Sequence, residues 1–240
     1  MINVFYLPLG LVSYDYCLKI QLKIFERLVN LKKLGYKNLP NFLITCEHYP
    51  VYTIGRNGNK DNIKFDNAFL SQNNVDFYES SRGGDITFHG IGQLVMYPIL
   101  DLENFFTDLR KYMRYLEELV IQTLKQYGIC STRIDGLTGV WIRDSKGDRK
   151  ISALGVKMSR WVTMHGLALN VNTDLSYFNK IVPCGISDKG VTSIKNELGY
   201  EVSLSEVEKF MMQSFENVFN VELYRYDNQD EFLKCLPNEA

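Results

Sequence analysis

The chain has 240 residues, 45% of them hydrophobic and 23% charged, which is enough apolar matter for a sizeable core and argues against disorder. A formal net charge of −1 excludes a global basic field, and with it non-specific nucleic-acid binding. No apolar run approaches the roughly 20 residues that span a bilayer, and the start, Met1 to Tyr6, lacks the basic region and cleavage site of a signal peptide, so the expected compartment is the cytosol, with no membrane partner.

No repeat, low-complexity tract or long linker interrupts the chain, so residues 1–240 are expected to form one domain. A short strand, Val4 to Leu7, opens it. From Ser13 to Leu34 the residues Leu18, Leu22, Phe25, Leu28, Val29 and Leu31 recur at helical spacing, with Ser13 as N-cap and Gly35 past the end. Phe42 to Cys46 and Val75 to Tyr78 read as strands, and a second helix runs from Thr107 to Tyr127 with Met113, Leu116, Val120 and Leu124 on its apolar face. Gly139 to Arg143 and Lys150 to Lys157, joined by the turn Asp144 to Asp148, predict a hairpin, with Met164 to Val171 pairing beside it. A last helix spans Ser203 to Phe219. Strands linked by short turns, with long helices inserted, predict an α/β chain of the α+β kind: a mixed, largely antiparallel sheet flanked by helices, without regular βαβ alternation.

The densest chemistry follows directly after the strand Val75 to Tyr78. Arg82, Gly83, Gly84, Asp85, Ile86, Thr87, Phe88, His89 and Gly90 lead through Ile91 and Gly92 into the apolar run Leu94 to Leu100. Glycine lets backbone approach a ligand closely, so the segment reads as a ligand-facing loop entering a buried strand; a tight turn between core strands is the plainer reading.

Five widely spaced cysteines form no CxxC pair, and most are expected to be small buried hydrophobes. Cys184 differs. Pro183 and Gly185 flank it, which describes a sharp turn that would hold the thiol at a defined point. A free thiol, with a pKa of about 8.5, is mostly protonated at neutral pH and needs help to react. His89, His165 and Lys150 are the candidate helpers; Lys150 is either a partly buried base or an exposed strand-end lysine. No Walker A sequence, HExxH, clustered Cys/His set or dinucleotide fingerprint is present, so neither metal nor nucleotide cofactor is implied, and acyl transfer is the natural thiol chemistry.

Taken together, Arg82-Gly83-Gly84-x-x-Thr87-Phe88-His89-Gly90-x-Gly92-Gln93, Gly139-Val140-Trp141, Lys150-Ile151-x-Ala153-Leu154-Gly155-Val156, His165-Gly166-Leu167-Ala168-Leu169-Asn170-Val171 and Pro183-Cys184-Gly185 resemble the lipoyl(octanoyl) transferase family. Pro50 to Arg56 also fits; Phe88 and Ile91 depart from the family's usual Tyr and Pro. The resemblance implies a biotin/lipoate-protein-ligase type of fold, Cys184 as the nucleophile forming an acyl thioester, and Lys150 as its proton-shuttling partner. It implies octanoyl-acyl carrier protein as donor. The implied acceptors are the lipoyl domains of 2-oxoacid dehydrogenase complexes and the glycine-cleavage H protein. Residues 82–89, with Ala153, Leu154, Gly155, Gly166, Leu167 and Ala168, are the expected substrate-binding set, and Arg82 and Arg56 are candidates to meet a phosphate or an acidic carrier surface. The rivals are an ATP-dependent lipoate–protein ligase, a lipoyl amidotransferase and a non-catalytic carrier-protein adaptor.

Overall fold

The structure is a computed structural model that describes residues 1–183 and 189–237. In chain order its elements are β1 (Ile2–Val12), α1 (Tyr14–Lys33), β2 (Asn41–His48), β3 (Val51–Ile54), α2 (Asn67–Asn73), β4 (Asp76–Glu79), β5 (Ile86–His89), β6 (Gln93–Ile99), α3 (Leu109–Lys125), β7 (Thr132–Ile134), β8 (Leu137–Asp144), β9 (Gly147–Ser159), β10 (Val162–Asn170), β11 (Gly190–Val191), α4 (Ile194–Leu198), α5 (Leu204–Phe219), β12 (Val221–Arg225) and α6 (Gln229–Lys234).

The main sheet runs β12-β1-β2-β6-β10-β9-β8-β7, with β11 added beside β9, and β4-β3-β5 form a second, smaller sheet. From β2 across to β7 every neighbouring pair is antiparallel. The mixed, largely antiparallel reading therefore holds. Its parallel part lies at one edge: β1 pairs parallel with β2 through α1, a single βαβ unit, and β12 pairs parallel with β1. The short strand expected at Val4 is in fact the long β1, because it is hydrogen-bonded on both edges.

Helix ends follow local chemistry. The Ser13 hydroxyl accepts from Tyr16 N–H at the start of α1, and Asp108 and Ser203 do the same for Lys111 in α3 and Glu206 in α5. The hairpin turn is tighter than expected: β8 runs on to Asp144 and β9 starts at Gly147, whose φ of 98° suits glycine.

The sheet separates two apolar cores. Leu94 and Met96 on β6, with Leu167 and Leu169 on β10, meet Leu116 and Val120 of α3 and Met211 and Phe215 of α5. The alternate residues Val95, Tyr97 and Ile99 meet Ile20, Ile24 and Leu28 of α1, together with Phe232 of α6. Burial of both faces explains why β6 is apolar without alternation. The small sheet has its own cluster, in which Tyr52 stacks on Phe65 and Phe88 stacks on Tyr177.

Among the described residues no helix is long and apolar enough to cross a membrane. Beside α1 a buried ion pair closes the lower edge. The Lys32 ammonium lies 2.6 Å from the fully buried Asp101 carboxylate and 2.8 Å from Glu103. Burial pushes the Lys32 pKa down, but the bonds from Asp101 and Glu103 outweigh it and hold it above the ordinary lysine value. Asp101 also accepts from Leu39 N–H at 3.2 Å, tying the start of β2 to the end of β6. Replacing Asp101→Ala leaves Lys32 buried without that partner and is expected to lower unfolding free energy by about 3–5 kcal/mol, read from urea denaturation.

Candidate active site

The site begins at a defect in the main sheet. β6 and β10 keep one register from Gln93↔Asn170 to Met96↔Leu167, and again at the bridge Asp101↔Val162. That register sets Pro98 opposite His165, and proline has no N–H to offer. His165 turns into the left-handed region, with φ of 61°, and gives its N–H to Gln21 Oε1 at 3.3 Å. Such a conformation costs a non-glycine residue about 1–3 kcal/mol. The Thr163 hydroxyl repairs the neighbouring rungs, donating to Pro98 O and accepting from Leu100 N–H, each at 2.9 Å. Gly166 follows, packed so closely that a Cβ would lie 2.1 Å from Met96 O.

A cleft with about 490 Å³ of empty space opens at this defect. Its lining includes Gly84, Asp85, Thr87, His89, Ala153, Leu154, Gly155, Gly166, Leu167 and Ala168, so three sequence-distant motifs meet there. Arg82 belongs to the same wall, whereas Gly83 is not part of the lining. Ile86 and Phe88 point the other way, into the small-sheet cluster, because residues alternate along β5. Sequence reasoning passed over Tyr14 and left His165 open; both line the cleft, as do Val95 and Tyr97 from the apolar run after Gly92. The period of two along β6 carried a signal for Val95 and Tyr97. Tyr14 arrives from α1 and had none.

Arg82 does not present its guanidinium to a carrier surface. It is buried and donates to Thr53 O at 2.6 Å, Thr53 Oγ1 at 3.0 Å, Asp85 O at 2.7 Å and Gly83 O at 3.0 Å. Gly83 N–H in turn donates to Val156 O at 2.8 Å. The arginine is thus the clamp that fixes the glycine-rich loop between β3 and β9. Arg56 is exposed.

The histidines are neutral. Gln93 Nε2 donates to Phe88 O and Asn170 Oδ1, so its Oε1 accepts from His89 Nδ1–H at 2.7 Å and leaves Nε2 of His89 bare. Burial, then repulsion from His48 once it takes its own proton at about 4, and from Arg82, depress His89 to about 3. Burial, followed by Arg82 and Lys157, does the same to His165, also to about 3. Neither supplies positive charge to a thiol near pH 7.

Lys150 stands on β9 ahead of Ala153. The register runs Val140↔Ser152 then Trp141↔Lys150, a β-bulge that leaves Ile151 as the extra residue and re-aims its neighbours. Lys150 is buried, at 8% exposure, with its ammonium 4.7 Å from the centre of the Trp141 ring. It is therefore not an exposed strand-end lysine. Gly139, with φ of 128°, lies against its aliphatic stem: a Cβ there would be 3.3 Å from Lys150 Cε. The other edge of Lys150 pairs with Val191 of β11, and Thr192 N–H donates to Lys150 O at 2.9 Å. Cys184 lies outside the described residues. The chain before it is pinned by the bridge Ile63↔Ile181 and by Val182 N–H donating to Asn62 O at 2.8 Å, and the chain after it enters β11. Of the remaining thiols Cys17 and Cys46 are buried as expected, whereas Cys130 is exposed.

Residues 15–216 match the family described as lipoyl protein ligase A/B catalytic domain. A protein of Cytophaga hutchinsonii named octanoyltransferase is 49% identical over 225 residues, 90% of this chain and 92% of that one. The octanoyltransferase of Christiangramia forsetii is 48% identical over 90% of this chain and 95% of its own. Among solved structures, a bipartite lipoate protein ligase from Thermoplasma acidophilum superposes with a TM-score of 0.74 at 16% identity, covering 98% of this chain and 91% of that one, and a lipoate-protein ligase A bound with ATP gives 0.73 at 15% identity over 98% and 93%; both likenesses are of fold.

The depressed His165 value has a consequence for acid stability. An unfolded imidazole takes a proton near pH 6.5 while the folded one does so only near 3, so the unfolded state binds more protons between those values. Stability present above pH 6.5 is expected to fall as the pH drops below it, by up to about 1.4 kcal/mol per pH unit for this group. Proton NMR of the His165 ring should show no titration above pH 5; a midpoint near 6.5 would contradict the neutral assignment.

Proposed function

The chain belongs to the lipoyl protein ligase A/B catalytic-domain family and is an acyltransferase, and from that premise we propose that it moves an octanoyl group from acyl carrier protein to lysines of lipoyl domains through a thioester on Cys184. The observation that carries this reading is the position of Lys150. It is buried on the strand whose Ala153, Leu154 and Gly155 wall the cleft, and it is paired to β11, the strand that the Cys184 segment enters.

The Cys184 sulfur attacks the carbonyl carbon of the donor thioester. The carrier thiolate leaves and takes up a proton through Lys150, and the acyl group stays on Cys184. The ε-amine of the acceptor lysine then attacks the acyl-enzyme carbonyl, forming an amide; Cys184 leaves as the thiol, with Lys150 relaying the proton. Exchange of thioesters is close to isoenergetic and aminolysis is downhill, so neither half-reaction calls for a nucleotide.

The cleft suits the cargo. Val95, Leu154, Leu167 and Ala168 offer apolar wall, and burying some seven methylenes gains about 5 kcal/mol at ~0.8 each. The neutral histidines and the carbonyl-bound Arg82 place no unsatisfied charge against that chain. Acceptors are the lipoyl domains of 2-oxoacid dehydrogenase complexes and the glycine-cleavage H protein, and residues 1–240 act as one domain in the cytoplasm.

Incubation with octanoyl-acyl carrier protein, without ATP, should give an intact-mass adduct of one octanoyl group that hydroxylamine removes and Cys184→Ala prevents. Acylation that appears only with octanoate and ATP would instead identify a ligase. Lys150→Ala should slow adduct formation and slow iodoacetamide alkylation of Cys184 at neutral pH. Lys150→Arg keeps the charge without surrendering a proton, so it should preserve alkylation and leave transfer impaired.

A further inference from the structure

Between α1 and the outer end of β2 three metal-capable side chains converge: Cys17 from the helix, and Cys46 and His48 from the strand. All are buried, at 0%, 2% and 0% exposure. Cys46 Sγ lies 4.0 Å from Cys17 Sγ and 3.5 Å from His48 Nε2, and the three donor atoms fall within 4.8 Å of one another. With Zn–S bonds of about 2.3 Å and Zn–N bonds of 2.0–2.1 Å, a tetrahedral ion sets two sulfurs about 3.8 Å apart and sulfur and nitrogen about 3.6 Å apart. The edges at Cys46 are within a few tenths of an ångström of those lengths.

The surroundings orient the donors as a metal site requires. His48 Nδ1–H donates to Val12 O at 3.1 Å, which fixes the tautomer with Nε2 as the lone-pair nitrogen. Gln21 Nε2 donates toward Cys17 Sγ at 3.7 Å, which orients the sulfur. The Tyr97 hydroxyl lies 2.8 Å from His48 Nε2, near enough to shift onto the ion as a fourth ligand. Charge closes as well: two thiolates and a neutral imidazole around a divalent cation sum to zero, so the loaded site carries no net charge into the core.

We propose that Cys17, Cys46 and His48 bind one Zn²⁺ ion, with Tyr97 at the fourth position, as a structural pin between α1 and β2 under the floor of the cleft. On loading, both S–H bonds break, their two protons go to solvent, and two S–Zn bonds and one N–Zn bond form; no oxidant or reductant enters. Tyr97 and Tyr14 touch both His48 and the cleft, so the site lies directly behind the cleft wall. Gln21 links Cys17 to His165 N–H, so the pin braces the strained turn of β10.

The test uses the full chain, reduced and anaerobic, in a Cys184→Ala, Cys130→Ser background that removes the loop thiol and the exposed thiol. Co²⁺ serves as the spectroscopic probe and Zn²⁺ as its competitor. One equivalent of Co²⁺ should produce sulfur-to-cobalt charge-transfer absorption in the near ultraviolet and the strong visible bands of a tetrahedral site, both erased by one equivalent of Zn²⁺. Cys17→Ala and His48→Gln should each lose the tetrahedral spectrum while retaining the native circular dichroism. No cobalt spectrum, or one unchanged in both variants, would overturn the site, as would a Cys17–Cys46 disulfide found by peptide mass in metal-saturated protein. If either variant fails to fold, Gln21→Leu, which touches one ligand without supplying one, should still weaken Zn²⁺ binding by about 10-fold or more against a chromophoric chelator; unchanged affinity there counts against the proposal.

Discussion

The constraint on which the rest depends is the facing of Pro98 and His165 across the middle of the main sheet. A sheet with helices packed on both faces has no room for a ligand, because β6 and β10 are buried on each side. Removing one N–H by proline, and turning one residue left-handed, interrupts the hydrogen-bond ladder locally without breaking the register on either side. The cost, about 1–3 kcal/mol, is offset by the Thr163 hydroxyl on one side and by Gln21 on the other. The cleft is therefore founded on these two strands, with the 82–85 loop, β5, β9 and Tyr14 completing its wall.

Everything around the cleft keeps it neutral. Arg82 is a buried cation, but its donors are spent on the carbonyls of Thr53, Gly83 and Asp85 and on the Thr53 hydroxyl, where they hold a loop in place. That field, together with burial, keeps His89 and His165 unprotonated. An apolar slot whose wall carries no net charge, Arg82 being matched by Asp85, suits an acyl chain and not an anion. The polar chemistry is displaced along β9: the bulge at Ile151 turns Lys150 onto Trp141, a few residues ahead of the wall formed by Ala153, Leu154 and Gly155. One strand thus connects the binding of the chain to the handling of the proton.

The legible parts of the fold were those written in local pattern. Ser13, Asp108 and Ser203 cap helices because a side-chain oxygen reaches a free N–H two or three residues on. The hairpin of β8 and β9 follows from alternation and a glycine turn, and its error was a matter of two residues at the bend. What local pattern did not carry is long-range pairing. Nothing near Val221 says that it will lie parallel to Ile2, and nothing in Val51 to Ile54 says that it will leave the main sheet to pair with β4 and β5.

The sequence by itself determined which chemistry is available: a glycine-rich loop, a lysine on an apolar strand, a cysteine between proline and glycine, and enough apolar residues to bury them. Those are properties of residue type and spacing, and they hold in any fold the chain adopts. Only the tertiary structure decided which of them meet. It turned Arg82 from a surface cation into an internal clamp, sent Phe88 and Ile86 away from the cleft that Thr87 and His89 line, and brought Tyr14 in from α1. The physical reason is that burial, register and strand parity are set by partners distant along the chain, and a residue's neighbours in sequence do not contain them.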